Sequence, residues 1–181
     1  MSHLSQFHLA VAVGAALSAT VAAAEDLSGL PGGATSLREA HGDWVVTCAL
    51  QSQTGGPNVK LCGMSQEQTD SNSRQRILAV ELKPDNTGAS GILVLPFGLS
   101  LDRGVTLQID DGPAGQPNKF RTCIPVGCVV PVSFDAKTLA TLRKASQLKI
   151  KAVADGGKET PFAVSLKGFP NAFDRTAALI K

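Results

Sequence analysis

Histidine, tyrosine and charge of one sign are what this sequence has least of. Its 181 residues include three histidines, one tryptophan and no tyrosine, and the formal net charge is only +2. His3 and His8 fall in an apolar amino-terminal stretch, which leaves His41 alone in the remainder. A Ser-His-Asp or Cys-His mechanism would have to use that one residue, and no serine stands in a G-x-S-x-G elbow. A lone histidine in a loop reads as a surface residue. The chain also lacks a His pair with metal-ligand spacing, a C-x-x-C at a helix start, a G-x-x-x-x-G-K-[ST] phosphate loop and a Rossmann fingerprint. Its small, mixed charge argues against a nucleic-acid partner. Beyond the amino terminus the apolar runs are only a few residues long, too short to cross a bilayer.

What is present begins with residues 1–24, MSHLSQFHLAVAVGAALSATVAAA. The apolar run Leu9–Val21 has the length of a signal-peptide h-region, and Ala22-Ala23-Ala24 supplies the small residues a signal peptidase needs. Cleavage is expected between Ala24 and Glu25. The n-region departs from the pattern in having no Lys or Arg, but the run has no polar face and so is not an amphipathic surface helix. The remaining 157 residues suit one domain with a real core. Residues 25–41 combine turn and small residues without periodicity and read as a flexible leader, so the domain is expected over 42–181.

From Gly42 the pattern is that of short strands between turn signals. Trp44, Val46 and Cys48 share one face of a first strand, and Thr54-Gly55-Gly56-Pro57-Asn58 breaks the chain before a second strand that starts at Val59. The polar stretch Gln66–Ser73 reads as a loop. Leu78, Val80 and Leu82 alternate in the next strand, Ile92–Leu95 forms a continuous apolar run, and Val105, Leu107 and Ile109 alternate again. Strands over 119–123 and 128–134 flank a four-residue connection, with Pro131 marking an edge or a bulge. Asp135 is a good N-cap for a short helix over 136–145. Strands follow at 147–154 and around Phe162, Val164 and Leu166. Phe169, Phe173, Ala177 and Ile180 then form one stripe of a terminal helix. Eight or nine short strands with two modest helices predict an all-β fold. The expected architecture is an antiparallel β-sandwich with Greek-key or jelly-roll-like connections, one internal helix and a carboxy-terminal helix.

The four cysteines carry the main chemistry. In an exported chain an even number reads as a disulfide framework, and four cysteines allow three pairings. Cys48–Cys62 with Cys123–Cys128 is preferred, because each pair is local and brackets one predicted turn. A Zn(Cys)4 site fits poorly, since the interval between Cys48 and Cys62 is not a tight zinc-knuckle pair. Asp110-Asp111, Asp85, Asp102 and Asp155 lie in connections and read as turn formers rather than a glycosidase pair. The basic groups Arg74/Arg76, Lys119/Arg121, Arg143/Lys144 and Lys149/Lys151 read as solvated faces with edge protection. Trp44 reads as a core anchor. No residue is assigned a catalytic, cofactor-binding or metal-binding role.

Several fragments together resemble the bacterial invasion-associated locus B family. They are Gly42-Asp43-Trp44-x-Val46-x-Cys48, Cys62-x-Met64, Leu95-Pro96-x-Gly98-x-x-Leu101, Cys123-x4-Cys128, and Ser165-Leu166-x-Gly168-Phe169-x-x-Ala172. The resemblance covers roughly residues 42–180. It implies a small secreted or periplasmic β-sandwich of a Gram-negative bacterium, and it brings no catalytic residues. The resulting expectation is an exported, disulfide-stapled, non-enzymatic envelope or secreted protein that contacts an envelope or host-surface partner. It is expected to use no cofactor and to have no membrane span after cleavage. The alternative is a periplasmic binding module or enzyme acting on envelope polysaccharide.

Overall fold

A computed structural model of the chain describes residues 29–181. The expected signal peptide, its Ala24–Glu25 cleavage site and the first residues of the leader lie outside the described part. Ten strands and two α-helices follow. The strands are β1 (Ser36–His41), β2 (Trp44–Gln51), β3 (Val59–Thr69), β4 (Arg76–Pro84), β5 (Gly88–Leu95), β6 (Thr106–Ile109), β7 (Thr122–Ile124), β8 (Gly127–Asp135), β9 (Gln147–Val153) and β10 (Glu159–Ser165). The helices are α1 (Ala136–Leu142) and α2 (Phe169–Ile180). A seven-stranded sheet has the order β1-β2-β3-β4-β5-β8-β7, and a three-stranded sheet has the order β10-β9-β6. Every strand pair is antiparallel. The fold is the antiparallel β-sandwich that alternation and turn spacing predict.

Alternation explains the core. Trp44, Val46, Cys48, Leu78, Val80, Leu82, Leu93 and Leu95 point inward from the large sheet, against Leu148, Ile150 and Ala152 of β9 and Val164 of β10. Helix α2 lies across β1–β4. Asp135 caps α1 by accepting from the Thr138 N–H at 2.7 Å, as its residue type and position predict.

Four boundaries differ from the sequence reading. The leader over 25–41 is not flexible throughout: Leu30 is buried in the core, and Ser36–His41 forms the edge strand β1. Only Leu37 there is a strong strand former, so the local pattern is weak. What makes it a strand is pairing with β2 through the tight turn His41-Gly42-Asp43-Trp44. The expected loop 66–73 is strand as far as Thr69, because Gln66 turns inward and finds backbone partners. The strand expected from Lys119 begins only at Thr122. The stripe of α2 is rotated as well: Phe169, Ala172, Thr176 and Leu179 are buried and Ile180 is exposed. Thr176 can face inward because its hydroxyl donates to the Ala172 carbonyl at 2.7 Å, which removes most of the cost of burying a polar group.

The two sheets are joined at one corner, where the fragments Gly42-Asp43-Trp44 and Ser165-Leu166-x-Gly168-Phe169 meet. The Trp44 indole N–H donates to the Ser165 carbonyl at 2.9 Å, and its ring meets Phe169 edge-on at 5.2 Å. The Ser165 hydroxyl donates to Asp43 at 2.6 Å, and the Asp43 N–H donates to the Lys167 carbonyl at 3.0 Å. Gly168 is left-handed (φ 85°), and a Cβ there would collide with the His41 carbonyl. Only glycine admits both that conformation and that approach.

Candidate interaction surface

The sulfurs are fully used. Cys48 is joined to Cys62 and Cys123 to Cys128, each pair directly opposed in its strand register, and no cysteine is free among the described residues. The first staple ties β2 to β3. The second closes the β7–β8 turn at its base.

Ionisable groups are also engaged in holding the fold. His41, expected in a loop, sits in β1 with Nε2 3.4 Å from Glu39. Glu39 in turn accepts both arms of Arg175 at 2.7 and 2.8 Å. Those Arg175 bonds hold the Glu39 carboxyl below its ordinary value. Asp110 accepts from the N–H groups of Ser146 and Gln147, and Asp111 binds Lys149 at 2.6 Å. The hydroxyl and N–H of Thr87 hold Asp85 down to about 2. Asp174 is lowered by its two-pronged contact with Arg143, at 2.9 and 2.7 Å. Among the described residues, Glu39, Asp70, Asp85, Asp111, Asp135 and Asp174 are all displaced downward. A general acid near neutrality needs the opposite shift. Among the described residues no group of three or more His, Cys, Asp or Glu side chains could hold a metal ion. The basic groups divide: Arg76, Arg143 and Lys149 pair with Glu67, Asp174 and Asp111. Arg121 and Lys119 stand exposed without an ion pair among the described residues.

Several hollows indent the surface. One of about 530 Å³ lies on the outer face of the large sheet. There Gly63 leaves a gap between Thr47, Lys83 and Ser90. A second, of about 690 Å³, separates β6 from β8 and α1, with Leu107, Ile109, Phe134 and Leu148 below a polar rim. A third, of about 640 Å³, takes in Leu61 and Ile180.

The most uneven feature is apolar. Six large hydrophobic side chains are exposed among the described residues: Leu61, Phe97, Leu101, Ile124, Val126 and Ile180. Four of them belong to one end of the sandwich. Leu95 pairs with Cys128, so Phe97 and Val126 both lie just past the same end of the β5–β8 pair. A Cβ on Gly127 would touch the Leu95 carbonyl, which shows how closely the turn abuts the end of β5. Leu101 lies on the connection that crosses from β5 to β6 at the same end. Phe97 is 61% exposed, Val126 53%, Leu101 46% and Ile124 42%. The sequence reading takes 124–127 only as a connection between strands and gives Phe97 and Leu101 no surface role. The available signal was the presence of large apolar side chains in Pro-Phe-Gly and Ile-Pro-Val-Gly, where polar residues usually stand.

The model of the family described as invasion associated locus B (IalB) protein matches residues 44–177. The chain belongs to the invasion associated locus B family. A Brucella abortus invasion protein B homologue is 43% identical over 154 residues, covering 84% of this chain and 86% of the relative. Invasion protein B of Bartonella bacilliformis is 36% identical over 156 residues, covering 84% and 81%. The fold is similar to the crystal structure of invasion associated protein B from Bartonella henselae. That comparison gives a TM-score of 0.70 and 33% identity, over 79% of this chain and 96% of the other. The family match spans both disulfides, the Trp44–Ser165–Phe169 corner and both apolar turns.

Proposed function

We propose that this member of the invasion associated locus B family is exported to the periplasm or medium of a Gram-negative bacterium and works by surface contact rather than by turnover. The observation that carries the reading is a contrast. Carboxylates and His41 are drawn into ion pairs, caps and turns, whereas four large apolar side chains gather in the open at one end. Two disulfides fit an oxidising compartment, and the apolar stretch of residues 1–24 supplies the export signal. No helix among the described residues is long and apolar enough to cross a membrane. The Brucella and Bartonella relatives are named as invasion proteins. Carried to this chain, that name supports a role at the cell envelope or in contact with a host cell. The polysaccharide-enzyme alternative gains nothing from the geometry, since Trp44 is buried and the carboxyl groups of Glu39, Asp85 and Asp174 are held down by their partners.

Two measurements test this. Amino-terminal sequencing of the exported protein is expected to begin at Glu25. Screens of the oxidised protein against peptides, glycans and esters are expected to give no turnover. Activity abolished by His41→Ala or by neutralising an acid would overturn the reading.

A further inference from the structure

The contact reading leaves the partner open, and the shape of the apolar end narrows it. Phe97, Leu101, Ile124 and Val126 line none of the three hollows described above. At the opposite end, by contrast, Leu61 and Ile180 border a recess. The four side chains project. Pro96 and Pro125 restrict the two turns that carry Phe97, Ile124 and Val126, and the Cys123–Cys128 bond closes the base of one. They are therefore held outward rather than free to fold back over the sheet. A protein partner for a convex apolar knob must offer a pocket of matching shape. The interface of a bilayer accepts apolar side chains of any convex outline.

Charge complements the shape. The two segments that carry the patch, 96–104 and 119–128, contain Arg103, Lys119 and Arg121 against the single acid Asp102. All three basic residues are exposed. Arg121 stands three residues behind Ile124, about 10 Å along an extended chain, the distance that sets a cation at headgroup level when Ile124 enters the interface. The neighbouring β3–β4 turn adds Arg74, while its Asp70 is tied into that turn by Asn72 and Ser73. In the β9–β10 turn Lys158 is flanked by the exposed acids Asp155 and Glu159, so that turn adds no positive charge.

We propose that this end of the sandwich docks on a phospholipid bilayer bearing anionic headgroups. In this arrangement Phe97, Ile124 and Val126 enter the interface and Arg103, Lys119 and Arg121 meet the phosphates. The proposal rests on the contact reading and names its partner. It makes the protein a peripheral membrane binder held by a stapled tip, with no spanning segment.

The test is co-sedimentation of the exported, oxidised protein with vesicles of phosphatidylcholine alone, or with ~30% phosphatidylglycerol added to mimic an anionic leaflet. The protein is expected to pellet with the anionic vesicles. Phe97→Asp with Val126→Asp is expected to lower partition about tenfold or more. Arg103→Gln and Arg121→Gln are each expected to lower it about fivefold, and only where phosphatidylglycerol is present. Leu61→Asp, at the far end, should bind as the parent does. Thermal melts confirm that the turn variants stay folded. Protein left in the supernatant with both vesicle types overturns the proposal, as does equal binding by the tip variants. Two further results also overturn it: a photo-crosslinker at position 126 that captures a protein instead of lipid, or tip variants that abolish self-association. Those last two would leave the contact reading standing, whereas enzymatic turnover would remove that reading itself.

Discussion

Replacing Gln66 with leucine removes a clamp between the sheets. Gln66 is 6% exposed and lies on the inner face of β3. Its amide donates to the Ser165 carbonyl at 2.9 Å and accepts from the Ser165 N–H at 3.0 Å, as a neighbouring strand would. The Gln68 amide extends the clamp, reaching the Gln66 side-chain oxygen at 3.1 Å and the Ala163 carbonyl at 2.6 Å. In Gln66→Leu the Ser165 carbonyl keeps the Trp44 indole, but the Ser165 N–H loses the one partner it has among the described residues. An orphaned donor costs about 1–3 kcal/mol, and the lost bond to the carbonyl about 1 more, with some return from burying leucine. The net expectation is a loss of about 2.5 kcal/mol, a fall in Tm of roughly 5–10 °C for a domain of this size. Gln66→Glu is the diagnostic companion. Its carboxylate can still accept from the Ser165 N–H but meets the carbonyl with no donor, so burial and that carbonyl raise its folded-state pKa. The sign follows: the native state then binds the proton more tightly, and stability falls as pH rises from about 4.3, the unfolded value. Urea titration at neutral and acidic pH measures both variants, and amide exchange at Ser165 reports the local opening. A loss under about 0.5 kcal/mol in Gln66→Leu, with Ser165 exchange unchanged, would refute the clamp.

Removing the staples tests the cysteines separately. By loop-closure entropy, Cys48→Ser with Cys62→Ser should cost about 3 kcal/mol and Cys123→Ser with Cys128→Ser about 2 kcal/mol; denaturant midpoints in the reverse order would contradict that account. Gly168→Ala should abolish soluble expression, because the new Cβ meets the His41 carbonyl at positive φ. Gly157→Ala, also at positive φ but with nothing within 4 Å, should fold and lose only about 1 kcal/mol; similar losses at both positions would show that conformation, not contact, governs Gly168. Glu39→Gln removes the Arg175 pair, which at a half-exposed site contributes about 0.5–1 kcal/mol. Because the Glu39 pKa is lowered, that stability is present above its ordinary 4.5 and is lost as pH falls. The gap between parent and variant should therefore close on acidification, and a gap that widens would show the sign to be wrong.

Much of the sandwich is legible because water is the only competitor for most side chains. Trp44, Val46 and Cys48, or Leu148, Ile150 and Ala152, alternate because one face is dry and the other wet. Cysteines that fall opposite one another across a turn are visible on the same grounds. The reading fails where a residue finds a partner other than water. Gln66 enters the core because Ser165 satisfies its amide, so β3 runs four residues past the point where polarity suggests a loop. Thr176 turns inward on α2 because its hydroxyl is satisfied within the helix, and that shifts the buried stripe away from Ile180. β1 was hidden for a third reason. Its sequence SLREAH is indifferent, and β2, Arg175 and the Gly42 turn make it a strand.

The junction of Gly42-Asp43-Trp44 with Ser165-Leu166-x-Gly168-Phe169 shows what a linear reading can and cannot supply. As fragments they lie more than a hundred positions apart, and each has a separate ordinary explanation: a turn, a strand start, a helix N-terminus. Folded, they form one joint, with the indole, the serine carbonyl and hydroxyl, the aspartate and the two glycine turns in mutual contact. That joint accounts for the motifs without giving them a function. The inverse holds in the turns at Phe97 and at Ile124-Pro125-Val126. Their large side chains stay 42–61% exposed and line none of the hollows. A fold that ties many of its carboxylates into its own corners, yet leaves four large apolar side chains exposed, concentrates its unmet demand at one end. On the contact reading proposed above, the surface is therefore best sought at that end rather than at the buried joint of Trp44, Ser165 and Phe169.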